Sequence, residues 1–194
     1  MKVFLATTSS LKSNILKKVG IKHSLIESDF DEESIDEKDV YEYVKKLAKG
    51  KADSVYDKID KGLIIGLDGV CYVDSKILEK PKSIEEAKSF IRLCKNNTSK
   101  VIVGLVIINK YIDEVIVKTV ETSITLRDIS EEDINYYIEN EEDAMYVSGF
   151  VLEGVISNFL EKIEGSFYNI LGVPVEVIYE YINSKGYYLK DLED

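Results

Sequence analysis

Two runs of β-branched residues, 101–108 and 114–126, stand close together in the middle of the chain. Branching at Cβ restricts χ1 and suits an extended, half-buried backbone. The pair therefore predicts a long central hairpin, around which the remaining segments must build one sheet. Those segments alternate. Short apolar runs that read as strands are separated by capped amphipathic helices, a pattern that leads to an α/β layer structure.

Along the chain, residues 2–6 read as a short buried strand. Ser9 or Ser10 caps a helix that carries Ile15, Leu16 and Val19 on one face and stops at Gly20. Residues 23–28 read as a second strand, followed by the acidic stretch Asp29-Phe-Asp-Glu-Glu33. A strongly amphipathic helix is predicted over 39–59, with Tyr43, Val44, Leu47, Ala48 and Val55 on its apolar side. Residues 63–66 form an apolar strand ending at Leu67-Asp68-Gly69 and continued by 70–73, with a turn at Asp74-Ser75. Ser83-Ile-Glu-Glu86 and Ser130-Glu-Glu-Asp133 are helix starts of the capping kind. Pro174 suits the first turn of a helix running to about Asn183. The charged tail from Gly186 is expected to be loose. The reading is a single α/β protein with a mixed sheet and flanking helices, in one lobe or two.

Composition narrows the function. Hydrophobic residues make up 45% of the 194-residue chain, enough for a core without disulfide or metal staples. Lys plus Arg (25) less Asp plus Glu (36) gives −11. A field of that sign repels a phosphate backbone, so no nucleic-acid polymer is expected as partner. A small phosphate site remains open, since a few local cations can outweigh the mean field. The two cysteines, Cys71 and Cys94, have no zinc-type spacing and suit a reducing compartment. No apolar run reaches membrane-spanning length, and the N-terminal one is too short for a secretion signal. The chain is expected to be soluble and cytoplasmic, with no membrane partner.

Four places could carry chemistry. Ala6-Thr-Thr-Ser-Ser-Leu-Lys12 puts hydroxyls, backbone N–H groups and Lys12 at a helix start, which favours an anion or is an ordinary cap. Asp31-Glu32 could hold a hard divalent cation or be a solvated acidic loop. Asp68 follows four apolar residues of a buried strand, where ligands bind in α/β sheets, and Gly69 permits close approach. Asp-Gly is equally a turn dipeptide. Lys51 and Lys80 are cations near an apolar helix face and before Pro81. His23 is the single histidine and reads as structural, so a Ser-His-Asp triad is not expected.

The order of these segments resembles the Maf family of nucleoside triphosphate pyrophosphatases, also described as septum-formation proteins. Its opening L-A-S-x-S-P-R-R-x-x-L-L is matched by Leu5-Ala-Thr-Thr-Ser-Ser-Leu-Lys-Ser-Asn-Ile-Leu16, and its D-E pair by Asp31-Glu32. Its Y-V-x-x-L-A-x-x-K-A is matched by Tyr43-Val-Lys-Lys-Leu-Ala-Lys-Gly-Lys-Ala52. Its I-G-A-D-T-V-V is matched by Ile65-Gly-Leu-Asp-Gly-Val-Cys71, its K-P by Lys80-Pro81, and its G-S-Y-x-x-V-x-G-L-P by Gly165-Ser-Phe-Tyr-Asn-Ile-Leu-Gly-Val-Pro174. Each motif alone is weak; six in this order are specific.

The resemblance implies one Maf-like domain over 1–194, with a fold like that of the inosine triphosphate pyrophosphatases and two lobes around a cleft. It implies hydrolysis of a nucleoside triphosphate to the monophosphate and pyrophosphate, with Mg²⁺ or Mn²⁺, and a homodimer. The family's catalytic Asp falls on Asp68, its acidic metal or water ligand on Glu32, and its lysines on Lys51 and Lys80. Ser9 and Lys12 fall on the phosphate-binding opening. Glu32 and Asp68 would hold the metal. The positions matching Leu11, Gly69 and Glu153 bear on base choice, and all three depart from the dTTP/UTP pattern. Glu153 replaces a Gln. A carboxylate only accepts hydrogen bonds, which suits the adjacent ring and exocyclic N–H groups of guanine better than thymine or uracil. The branch that acts on 7-methylguanosine triphosphate shares this Glu and a cysteine matching Cys71, but not the residues at Leu11 and Gly69. A guanine-type base, plain or modified, is therefore expected. The alternative is a nucleotide-binding cell-division regulator with little or no turnover, suggested by the three departures at Leu11, Gly69 and Glu153 and by the lost arginine at Lys12.

Overall fold

The computed structural model describes residues 1–193. Its strands are β1 (Val3–Ala6), β2 (Ser24–Ile26), β3 (Leu63–Val73), β4 (Lys76–Leu78), β5 (Thr98–Asn109), β6 (Glu114–Leu126) and β7 (Leu160–Glu164). Its α-helices are α1 (Ser10–Lys18), α2 (Val40–Ser54), α3 (Ile84–Cys94), α4 (Glu131–Asn140), α5 (Phe167–Ile170) and α6 (Val175–Ser184). The strands form one mixed seven-stranded sheet in the order β2-β1-β3-β5-β6-β7, with β4 on β3. The chain divides into two compact units. The first comprises Met1–Gly69, Val103–Val120 and the chain from Leu171 on; the second comprises Val70–Ile102 and Glu121–Ile170.

In the first unit β1 runs parallel to both neighbours, pairing Ala6 with Ile26 of β2 and with Gly66 of β3. Leu5, Ala6 and residues 63–65 are fully buried, as parallel strands covered on both faces must be. Two glycines let α2 press onto this sheet. A methyl group at Gly66 would fall on the Ala48 carbonyl oxygen and lie 2.9 Å from the Ala52 Cβ, and one at Gly104 would fall on the Val44 carbonyl. Ala6, Ala48, Ala52, Val55, Ile64 and Val106 fill the resulting contact.

Helix α1 begins and ends as its sequence dictates. The Ser9 hydroxyl accepts from the Lys12 N–H at 3.4 Å. At the other end Gly20 adopts φ +82°, and the Ile21 N–H reaches back to the Leu16 carbonyl at 2.9 Å. Left-handed backbone there favours glycine, and the return bond satisfies a carbonyl the helix leaves open. His23 is consumed by the fold: one ring nitrogen meets the Ser13 hydroxyl and the other the Ile21 carbonyl, each at 2.9 Å, with both side chains buried.

The second unit is built on the outer hairpin. β4 returns antiparallel on β3 through Asp74 and Ser75, with φ of 48° and 61°. Positive φ at both central residues matches the right-handed twist of a tight hairpin. Cys71, Val73, Ile91, Cys94, Ile124, Leu126, Ile134 and Tyr137 form its core. Both cysteines are free thiols.

The structure departs from the sequence reading in three places. β3 runs unbroken from Leu63 to Val73, so Asp68 is neither at the strand's end nor in a turn. What ends is its partner: β1 stops at Ala6, opposite Gly66, two residues short of Asp68. The long helix closes at Ser54, and a 3₁₀ turn follows at Tyr56–Lys58. The tail is docked, not loose. Leu192 is buried, Glu193 bridges to Lys2, and the terminal ammonium meets the Asp191 carbonyl and Glu193 Oε1. A buried apolar residue outweighs the charged neighbours that made the segment look solvated.

Candidate functional site

Lys12, Glu32, Lys51 and Asp68 come from four separate stretches of the first unit and meet at the point where β1 ends. Beyond Ala6 the chain turns sharply. The Thr7 N–H reaches the Ile26 carbonyl at 3.1 Å, and the buried Thr7 hydroxyl accepts from the Ser9 N–H at 3.1 Å. The turn puts the start of α1 beside the continuing strand β3. Lys12, in the first turn of α1, donates to the Leu67 carbonyl at 3.1 Å and lies 3.7 Å from Asp68 Oδ1. Lys51, near the end of α2, pairs with Asp68 Oδ2 and with Glu32 Oε1, the latter at 2.8 Å. The Gly69 N–H adds a bond to Asp68 Oδ1 at 2.8 Å.

The side chains of Lys12, Lys51 and Asp68 are only 12–15% exposed, whereas Glu32 is 53% exposed. Two ammonium groups and one carboxylate are therefore held mostly out of water, with the second carboxylate at the solvent edge, and the cluster is electrically balanced. Burial pushes the Asp68 carboxyl up, but Lys12 and Lys51 outweigh it and hold it below the usual carboxylate range. For Lys51, burial is overcome by Asp68 and Glu32, and its ammonium holds its proton more tightly than a free lysine. For Lys12 burial wins over the attraction of Asp68, and its proton is held less tightly. A buried lysine of that kind has an unmet demand for negative charge, which a phosphate oxygen beside it would satisfy.

The other expected residues lie as follows. Ser9 caps α1, and Leu11 next to it is half exposed. Gly69 is a strand residue whose N–H serves Asp68. Lys80 and Glu153 belong to the second unit, and both are exposed. Lys80 follows β4, and Glu153 lies in a turn ahead of the 3₁₀ segment Val155–Phe159.

Two contributors escaped the sequence reading. Thr7 looked like one more loop hydroxyl; its burial and its bond to Ser9 make it the hinge of the turn. Gly172, whose left-handed φ of +79° favours glycine, lies beside the Lys12 stem: an added methyl would sit in ordinary van der Waals contact, 3.4 Å from its Cε. The Gly172-Val-Pro174 turn marked the place, but no local pattern ties it to residue 12.

Comparison with known proteins adds the following. The family described as "Maf-like protein" matches residues 2–185. A protein of Clostridium perfringens (strain SM101 / Type A) named dTTP/UTP pyrophosphatase is 35% identical over 182 residues, covering 93% of this chain and 95% of that one. Proteins of the same name from Clostridium botulinum (strain Eklund 17B / Type B) and Thermotoga petrophila are 34% and 29% identical, covering 90% and 97% of this chain and 94% and 91% of theirs. Among solved structures, the Ham1 protein of Staphylococcus aureus aligns over 66% of this chain and 73% of its own, at 15% identity and a TM-score of 0.47.

Proposed function

The chain belongs to the Maf-like protein family, and from that premise we propose that it is a nucleoside triphosphate pyrophosphatase. The reaction is attack of water on the α-phosphorus, giving the nucleoside monophosphate and pyrophosphate. The observation that carries this reading is the meeting of Lys12 and Lys51 with Asp68 and Glu32 at the carboxyl end of β1 and the start of α1. Ligands of α/β sheets bind at such ends, and the free N–H groups of a helix start add to the attraction for an anion.

In the protein alone the lysines are occupied by carboxylates. An arriving triphosphate competes for them. Lys12, whose burial leaves its charge poorly met, turns to the phosphate oxygens, and Lys51 is shared between phosphate and carboxylate. Asp68, a carboxylate throughout the neutral range, orients the attacking water and accepts its proton as the bond to phosphorus forms.

The donor set also suits a hard divalent cation. Two carboxylate groups from different segments converge on one ammonium, and no group of three or more metal-ligating side chains occurs among the described residues. Mg²⁺ takes one or two protein carboxylates and completes its shell with water and phosphate oxygens. We assign that role to Glu32 and Asp68; the bound Mg²⁺ or Mn²⁺ would neutralise phosphate charge and acidify a water. Lys80 is assigned a phosphate contact on its Lys-Pro motif.

For the base, the Glu153 carboxylate supports a guanine-type nucleotide. The name shared by the relatives from Clostridium supports a second reading, dTTP or UTP. Turnover of dTTP, UTP, GTP and 7-methyl-GTP with Mg²⁺ or Mn²⁺, with the products identified, decides among these. Pyrophosphate release, fastest from a guanine nucleotide, is expected. A pyrimidine preference overturns the base assignment only. Orthophosphate as first product would mean a phosphatase. Binding without turnover would mean a nucleotide-binding regulator.

A further inference from the structure

Glu32 is the most exposed of the four clustered side chains and the one with the least regular backbone. It opens a 3₁₀ turn, Glu32–Ser34, in the acidic loop after β2. Something must hold that loop if its carboxylate is to stay beside Lys51. A charge contact near its root, Lys58 with Asp29 at 3.4 Å, joins two exposed side chains and is screened by water. The firmer contacts are to α2. The Ser28 hydroxyl bonds to the Ser54 hydroxyl at 2.9 Å and accepts from the Phe30 N–H at 3.3 Å. The ring of Phe30 lies on Gly50. A methyl there would fall on its Cε2 and Cζ and come within 2.6 Å of Cδ2.

Gly50 is otherwise unexplained. It lies inside α2 with helical backbone, where glycine costs about 0.5–1 kcal/mol relative to alanine. Its lack of a side chain is what seats the ring. The next residue, Lys51, is the one that meets Glu32, 2.8 Å away. Adjacent helix residues 50 and 51 thus engage loop residues 30 and 32, one by packing and one by charge. We infer that Phe30 and Gly50 form a latch that positions the Glu32 carboxylate for turnover. Phe30 and Gly50 are positioning residues, acting through Glu32. The inference rests on the pyrophosphatase reading and on a role for Glu32 in it.

The test is a set of double-mutant cycles on the full chain, with the nucleotide that the wild-type protein turns over fastest. Gly50→Ala and Phe30→Ala are each made alone and with Glu32→Gln, and kcat, KM and thermal unfolding are measured. Gly50→Ala is the cleaner variant, because alanine favours the helix and the flexible ring can swing away. Its unfolding temperature is expected to hold or rise while kcat falls about tenfold and KM stays within about twofold. Phe30→Ala is expected to lower kcat to a similar degree. With Glu32→Gln present, neither change should lower kcat further, because the group they position is gone. Wild-type kcat in Gly50→Ala, or a full further loss in the Glu32→Gln background, overturns the latch alone. Wild-type kcat in Glu32→Gln removes Glu32 from the mechanism and the latch with it. A wild-type protein that turns over none of the nucleotides overturns the pyrophosphatase reading as well.

Discussion

Asp68 is where the cluster converges: the Gly69 N–H and Lys51 donate to its carboxylate, and Lys12 pairs with it by charge at 3.7 Å. Asp68→Asn keeps the shape and removes the charge. It is expected to lower kcat by at least about a hundredfold while the protein stays folded, measured by pyrophosphate release beside a circular dichroism spectrum. The same carboxylate has a signature in stability. Its folded pKa lies below the unfolded value of 3.8. Its contribution is therefore present above that value and lost as pH falls through the lower, folded value. With metal chelated, urea unfolding should show wild type more stable than Asp68→Asn at neutral pH, the gap closing under acid. Lys51 has the opposite window. Its folded pKa is raised above 10.5, so its contribution is present below that value and lost as pH rises through the higher one. Lys12 opposes both, since burial loosens its proton and its charge costs the free protein stability at neutral pH.

At the scale of elements, two devices bring the cluster together: a cap and a close approach. Ser9 satisfies a backbone donor at the start of α1, the turn that carries Lys12. Ser9→Ala should cost about 1 kcal/mol in urea unfolding. Gly104 is farther from the chemistry, yet it sets how closely α2 lies on the sheet, since a methyl there meets the Val44 carbonyl backbone. A backbone neighbour cannot swing aside as a ring can. Gly104→Ala is expected to cost about 1–3 kcal/mol by overpacking and to lower kcat by shifting the helix that carries Lys51, read from unfolding and turnover of the same sample. The contrast with Gly50→Ala is the useful one. The same substitution spares stability where a side chain yields and costs stability where main chain must.

Across the whole molecule, the two ends of the chain are tied together within the first unit. The terminal ammonium meets the Asp191 carbonyl, Lys2 bridges to Glu193, and Leu192 is buried at 2% exposure. Leu192→Ala is expected to destabilise by about 2–5 kcal/mol in urea unfolding, a core-like cost for a residue two from the end. This was the segment the sequence most clearly misled about, because its composition is that of a solvated tail. The alternation of periods, the serine caps of α1, α3 and α4, the glycine stop of α1 and the central hairpin were all legible, because each is decided by residues within a few positions of one another. The motif order likewise singled out Asp68, Glu32, Lys51 and Lys12, whose side chains meet in the structure. What the sequence could not decide was why they meet. That depends on β1 ending two residues short of Asp68, on Gly66 and Gly104 admitting α2, and on Phe30 resting on Gly50. These are contacts between segments far apart along the chain. Packing stabilises them, and the pairing of charges offsets the cost of taking those charges out of water; neither has a local signature in the order of residues.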